Sequence, residues 1–114
     1  MARYSKITHS GFLYQVEFVF DDLVLLLGRY TQEIAKQQQL EAVQKFKDNL
    51  DFSLFSACAQ KVYKGSPDYH VSFIFSNQVQ LFSTKLFVSK KAALHFAHQV
   101  VNNKYFPVTD HAIL

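Results

Sequence analysis

Apolar and polar residues alternate most cleanly from Phe12 to Phe20, where Phe12, Tyr14, Val16, Phe18 and Phe20 take one side and Leu13, Gln15, Glu17 and Val19 the other. A period of two over this length predicts a strand with one fully apolar and one mixed face. His9-Ser10-Gly11 ahead of it predicts a turn, with Arg3 to Thr8 as a short partner strand. Asp21 and Asp22 stand where a helix N-cap belongs, before the run Leu23-Val24-Leu25-Leu26-Leu27 and Gly28. That run reads as one or two helical turns or as an extended continuation. From about Thr31 to Asn49 the period changes to that of a helix. Ala35, Ala42, Val43, Phe46 and Leu50 fall on one narrow arc, and Gln37, Glu41, Gln44, Lys45 and Asp48 fall outside it.

Asp51 to Lys64 reads two ways. The preferred reading is a helix capped by Asp51 with Phe52, Phe55, Ala59 and Val62 on one face. As a strand, the segment forms a hairpin with the next apolar run through Lys64-Gly65-Ser66-Pro67-Asp68, which is strong turn chemistry. Val71, Phe73 and Phe75 alternate with His70, Ser72 and Ile74, and a second strand is expected from about Gln78 to Val88. Its apolar phase changes between Leu81 and Phe82, which marks a bulge or a strand apolar on both faces. Ser89 predicts the N-cap of a last helix to about Asn103, with Ala93, Ala97, Val100 and Val101 as its buried stripe and Leu94 and Phe96 beside it. Pro107 lies beyond its end, and Tyr105 to Leu114 reads as a short edge strand or a loose tail.

These elements predict an α+β fold: a small antiparallel sheet of three to five strands with two or three amphipathic helices packed on one face. At 114 residues the chain is expected to form one domain, 1–114, and no internal repeat is visible in the sequence. The other sheet face keeps Leu13, Val19 and Ile74, together with Phe82 and Leu86. Exposed together they make a larger patch than a lone domain tolerates.

Composition narrows the functions. Twelve Phe and six Tyr without Trp exceed what one small core needs, so some are expected to face a partner. The net charge of +3 is scattered along the chain and falls short of the basic stripe of a dedicated nucleic-acid binder. A single cysteine, Cys58, leaves no intrachain disulfide and fits a reducing compartment. Gln15 and Glu17 interrupt the first apolar stretch, and the leucine run is far shorter than the ~20 residues that span a bilayer. A cytoplasmic protein with no membrane partner is the expectation.

No motif carries catalysis. Of His9, His70, His95, His98 and His111, only His95 and His98 are close, and they lack the further ligands a zinc site needs. Cys58, in Ser56-Ala57-Cys58-Ala59, has no surrounding oxyanion motif and reads as a small buried hydrophobe. Gly11, Gly28 and Gly65 are too far apart to cradle phosphate. No metal, cofactor or catalytic residue is expected.

The resulting expectation is a non-enzymatic protein-binding module that occupies another protein's surface as a regulator, inhibitor or assembly factor, a role common among bacterial and phage accessory proteins. Its expected partner-binding residues are Leu13, Val19, Ile74, Phe82 and Leu86. A homodimer through the free sheet face or an edge strand is the simplest form. The alternative is a single-stranded nucleic-acid binder that stacks bases on Phe73, Phe75 and Phe82 and holds phosphates with Lys61, Lys64, Lys85, Lys90 and Lys91.

Overall fold

A computed structural model describes residues 3–48 and 53–108. Its element order is β1 (Arg3–Ser10), β2 (Leu13–Phe20), β3 (Leu23–Tyr30), α1 (Gln32–Asp48), β4 (Leu54–Lys61), β5 (Tyr69–Phe75), β6 (Gln80–Ser83) and α2 (Lys90–Asn102). The six strands form one antiparallel sheet in the order β1-β2-β3-β6-β5-β4. The chain therefore runs through βββα twice, and the two halves meet where β3 pairs with β6. This duplication lives in strand order, and the sequence, which shows no repeat, does not reveal it.

The sheet has one strand more than the pattern predicts, and two segments account for the difference. Asp21 and Asp22 cap no helix. They form the two-residue loop between β2 and β3, closed by Phe20 opposite Leu23, with Asp21 at φ 58°. Asp tolerates the left-handed region better than most residues, and a positive φ at the first loop position suits a strand reversal. The leucine run is β3. Leu25 is fully buried on one face and Leu26 nearly so on the other, so the strand shows no alternation.

The second segment is Asp51 to Lys64. The helix preferred there is instead strand β4, and Asp51 and Phe52 lie outside the described residues. Ala57 and Ala59 look helix-forming in isolation. In the fold they sit opposite Phe73 and Val71, and α2 packs over β4 with its own small residues Ala93 and Ala97 buried. Small side chains on both surfaces let helix and strand approach closely, and tertiary packing overrides propensity.

Other expectations shift by a few residues. The β1–β2 loop is Gly11-Phe12, with Gly11 at φ 61°, where glycine carries no Cβ penalty. β6 ends at Ser83 rather than Val88. Its phase change reflects Leu81 in the core and Phe82 on the other face, without a bulge. Ser89 does cap α2: its side chain accepts from the Ala92 N–H at 3.1 Å. In the tail, Val108 makes one parallel bridge with Leu54, and His111 lies outside the described residues.

Both helices cover the same face. Phe18 is opposite Leu25 and Leu25 opposite Ser83; Leu81, two residues from Ser83, is opposite Phe73. Against this row α1 places Ala35, Ala42 and Phe46, and α2 places Ala93, Ala97 and Val100. Phe46 packs on Phe18 with centroids 5.3 Å apart and on Phe75 at 5.6 Å. Phe106 lies edge-on to Phe20 at 5.4 Å and to Phe75 at 5.0 Å. This aromatic group ties the two halves together, because Phe18, Phe20 and Phe46 belong to the first and Phe75 to the second. Phe73 and Phe75, expected as base-stacking residues in the alternative reading, are 0% and 1% exposed and belong to this core.

Candidate functional site

The opposite sheet face has no helix over it among the described residues, and cross-strand pairing defines what it carries. One row crosses all six strands: Lys6 opposite Glu17, Glu17 opposite Leu26, Leu26 opposite Phe82, Phe82 opposite Ser72, and Ser72 opposite Cys58. Beside it lie Tyr4 opposite Val19, Val19 opposite Val24, and Ile74 opposite Gln80. Directly opposed residues share a face and touch. The centre is therefore apolar, built from Val19, Val24, Leu26, Phe82 and Ile74. The margin is polar, with Lys6, Thr8, Gln15, Arg29, Gln60 and Gln80.

Polar groups inside this layer are hydrogen-bonded. Glu17, 7% exposed, accepts from the Thr8 hydroxyl at 3.1 Å. The Ser72 hydroxyl, fully buried, accepts from Gln80 Nε2 at 2.7 Å. Arg29 Nε donates to Gln15 Oε1 at 3.0 Å. The His70 ring stacks on Phe82 with centroids 4.7 Å apart. Burial holds the His70 imidazole below its ordinary range, because desolvation penalises the charged form.

Four of the five expected partner-binding residues meet on this face. Val19 is buried in it, Ile74 and Phe82 are half-buried, and Leu13 is exposed toward the β1–β2 loop. Leu86 is exposed but lies beyond β6, outside the ladder. Val24 and Leu26 escape the sequence reading because their strand is apolar on both faces; the signal that finds them is register, since Phe18 opposite Leu25 turns Val24 and Leu26 the other way. Glu17 is visible in the sequence only as an interruption of an apolar stretch.

The lysines gather elsewhere. Lys61 ends β4, Lys64 lies in the β4–β5 loop, Lys85 follows β6, and Lys90 and Lys91 open α2. Lys61 is opposite Tyr69, and Tyr69 bridges Phe87. Lys61 Nζ lies 5.9 Å from the Tyr69 centroid, and Lys85 Nζ lies 5.7 Å from that of Phe87. Tyr69 and Phe87 pack on the helix-side core, on the face opposite the Phe82–His70 stack.

Among the described residues no group of three or more His, Cys, Asp or Glu is placed to hold a metal. His95 and His98 are exposed on α2, and His9 stacks on Tyr14 at 4.7 Å. Cys58 is half-buried and free. No helix among the described residues is long and apolar enough to cross a membrane. An apolar hollow of about 420 Å³ sits on the helix side between α1 and the β1–β2 pair, with Phe18, Phe20, Val43 and Phe46 as walls and Arg3 and Lys47 at its rim. Comparison with protein-family models, curated proteins and solved structures gives no match.

Proposed function

We propose that this chain is a non-enzymatic protein-binding module whose working surface is the uncovered sheet face, acting as a regulator, inhibitor or assembly factor. The observation that carries the reading is the apolar centre Val19–Val24–Leu26–Phe82–Ile74 inside a polar margin. An apolar middle with a polar rim is the anatomy of a protein interface, and the half-buried Phe82 supplies its aromatic anchor. The test compares tagged wild-type chain with Ile74→Asp and Phe82→Asp in a pull-down from lysate split into nuclease-treated and untreated halves. A stoichiometric, nuclease-resistant protein lost from both variants, with their circular dichroism unchanged, is the expected result. A partner retained by both folded variants refutes the assignment to this face.

One observation favours a second reading, single-stranded nucleic acid: the topology collects Lys61, Lys64, Lys85, Lys90 and Lys91 at one end of the molecule. Phosphate contacts there predict binding that weakens steeply with salt and a shallower salt slope in Lys90→Ala/Lys91→Ala. An unchanged slope removes those lysines from the contact.

A further inference from the structure

The sheet has two edges, and they are treated differently. On the β4 edge the tail closes the strand end: the Leu54 N–H donates to the Pro107 carbonyl at 2.7 Å, and Val108 bridges Leu54. A register shift between Leu54 and Ser56 distorts the same strand. Such irregularity and covering are how proteins blunt an edge. β1 has neither. It runs eight residues in unbroken register with β2, from Arg3 opposite Phe20 to Ser10 opposite Leu13.

The hairpin geometry fixes which backbone groups of β1 point outward. Ser10 and Leu13 flank a two-residue loop and so exchange both main-chain hydrogen bonds. Alternation then turns Thr8, Lys6 and Tyr4 inward to β2 and leaves Ser5, Ile7 and His9 presenting N–H and C=O outward. Among the described residues none of these outward groups has a backbone partner. These groups face solvent and offer a row along which another strand can pair.

We propose that β1 docks a second copy of this chain, pairing antiparallel with its counterpart about Ile7 to join the two sheets into one. Self-pairing about a twofold axis must match outward groups to outward groups, so the axis passes beside a residue of β1. Centred on Lys6, it sets two ammonium groups directly opposite. Centred on Ser5, it pairs only Arg3 to Ile7 among the described residues. Centred on Ile7, it sets Lys6 against Thr8, Tyr4 against Ser10 and Ser5 against His9, with no like charges opposed and roughly six main-chain hydrogen bonds. Lys6, which guards the edge against indiscriminate pairing, thereby selects the register.

The helix side supports the same arrangement. Gln39 Nε2 donates to Ser5 Oγ at 2.9 Å, so α1 overlies β1. Leu40, 69% exposed, lies three residues before the half-buried Val43 on the flank of α1 that borders this edge. In the joined sheet the two α1 helices lie on the same side and bring these apolar flanks toward each other, above the Ile7 pair. The proposal specifies the self-association half of the protein-binding reading and does not rest on the uncovered face.

Light scattering with size exclusion, run over a concentration series, tests it. Wild-type chain is expected at twice the 13.2 kDa monomer mass. Ile7→Pro removes an outward donor while sparing the β1–β2 ladder, since proline is tolerated where an edge N–H faces solvent. It is expected at monomer mass with unchanged circular dichroism. Lys6→Cys/Thr8→Cys places cysteines on opposed residues of a closely spaced pair, which suits disulfide geometry, and is expected to form a covalent dimer on oxidation. Should Ile7→Pro fail to fold, this cross-link alone decides. A wild-type monomer, or a Lys6→Cys/Thr8→Cys protein that never cross-links, overturns the proposal. So does a dimer that survives in folded Ile7→Pro; if Phe82→Asp dissolves that dimer, copies associate through the uncovered face instead.

Discussion

The two βββα halves share an element order and reach it by different means. In the first half the strands are eight residues each and turn on two-residue loops, and α1 runs 17 residues. In the second, strands of eight, seven and four residues are joined by longer loops, and α2 runs 13. Their side-chain hydrogen bonds differ in kind. Within the first half those described join side chain to side chain: Thr8 to Glu17, Arg29 to Gln15, Gln37 to Glu41 and Gln39 to Ser5. Within the second, most join side chain to backbone: Ser66 to Asp68, Ser83 to Val71 and Lys85, Asn77 to Val79 and Ser89 to Ala92. Long regular ladders already satisfy the first half's backbone. The shorter strands and longer loops of the second leave main-chain groups that Ser and Asn must complete.

The largest effect is expected where the halves meet. Phe75 contacts Phe20, Phe46 and Phe106, so Phe75→Ala opens a cavity shared by both and is expected to cost about 3–5 kcal/mol in chemical denaturation. A single cooperative transition shifted to lower denaturant is the expected curve; two separate transitions would mean the halves unfold independently. Next is Ser83→Ala. It strips the buried Val71 N–H of its acceptor at 3.0 Å and should cost about 1–3 kcal/mol, seen as faster amide exchange at Val71.

Smaller still, Ser89→Ala removes the cap of α2 and is expected to cost about 1 kcal/mol. Its first-half contrast, Gln39→Ala, deletes a side-chain pair near the surface and should stay within about 0.5 kcal/mol in the same denaturation assay. Equal losses from the two would erase the distinction between the halves. The finest test uses pH. His70 titrates below its ordinary 6.5 in the folded chain, so the unfolded chain binds more protons between the two values. Its contribution is fully present above pH 6.5 and is lost as pH falls through that range. The gap in urea midpoint between pH 7.5 and pH 5.5 is expected to narrow in His70→Gln.

How much of this is legible in the chain depends on whether each residue's environment is local. β2 alternates because one face meets helices and the other does not, and α2 shows through Ser89 and a stripe three and four residues apart. β3 is illegible for the opposite reason: Leu25 and Leu26 are buried on opposite faces, which erases the period. β4 reads as a helix because Ala57 and Ala59 are small in answer to α2, a partner more than thirty residues away in sequence. The candidate face obeys the same rule. Leu13, Val19, Ile74 and Phe82 stand out by period, whereas their union with Val24 and Leu26 depends on the β3–β6 pairing.

That central seam also bears on how the chain is made. β3 pairs with β6 through only Leu25 opposite Ser83 and Leu26 opposite Phe82. Until β6 leaves the ribosome, about fifty residues after β3, the first half presents an edge that is apolar on both faces. At ordinary elongation rates that interval is roughly 3–10 s, long compared with the microseconds a hairpin needs to close. Ribosome-stalled chains that expose residues 1–48 are therefore expected to recruit chaperones or aggregate, and chains that expose residue 83 and beyond are not.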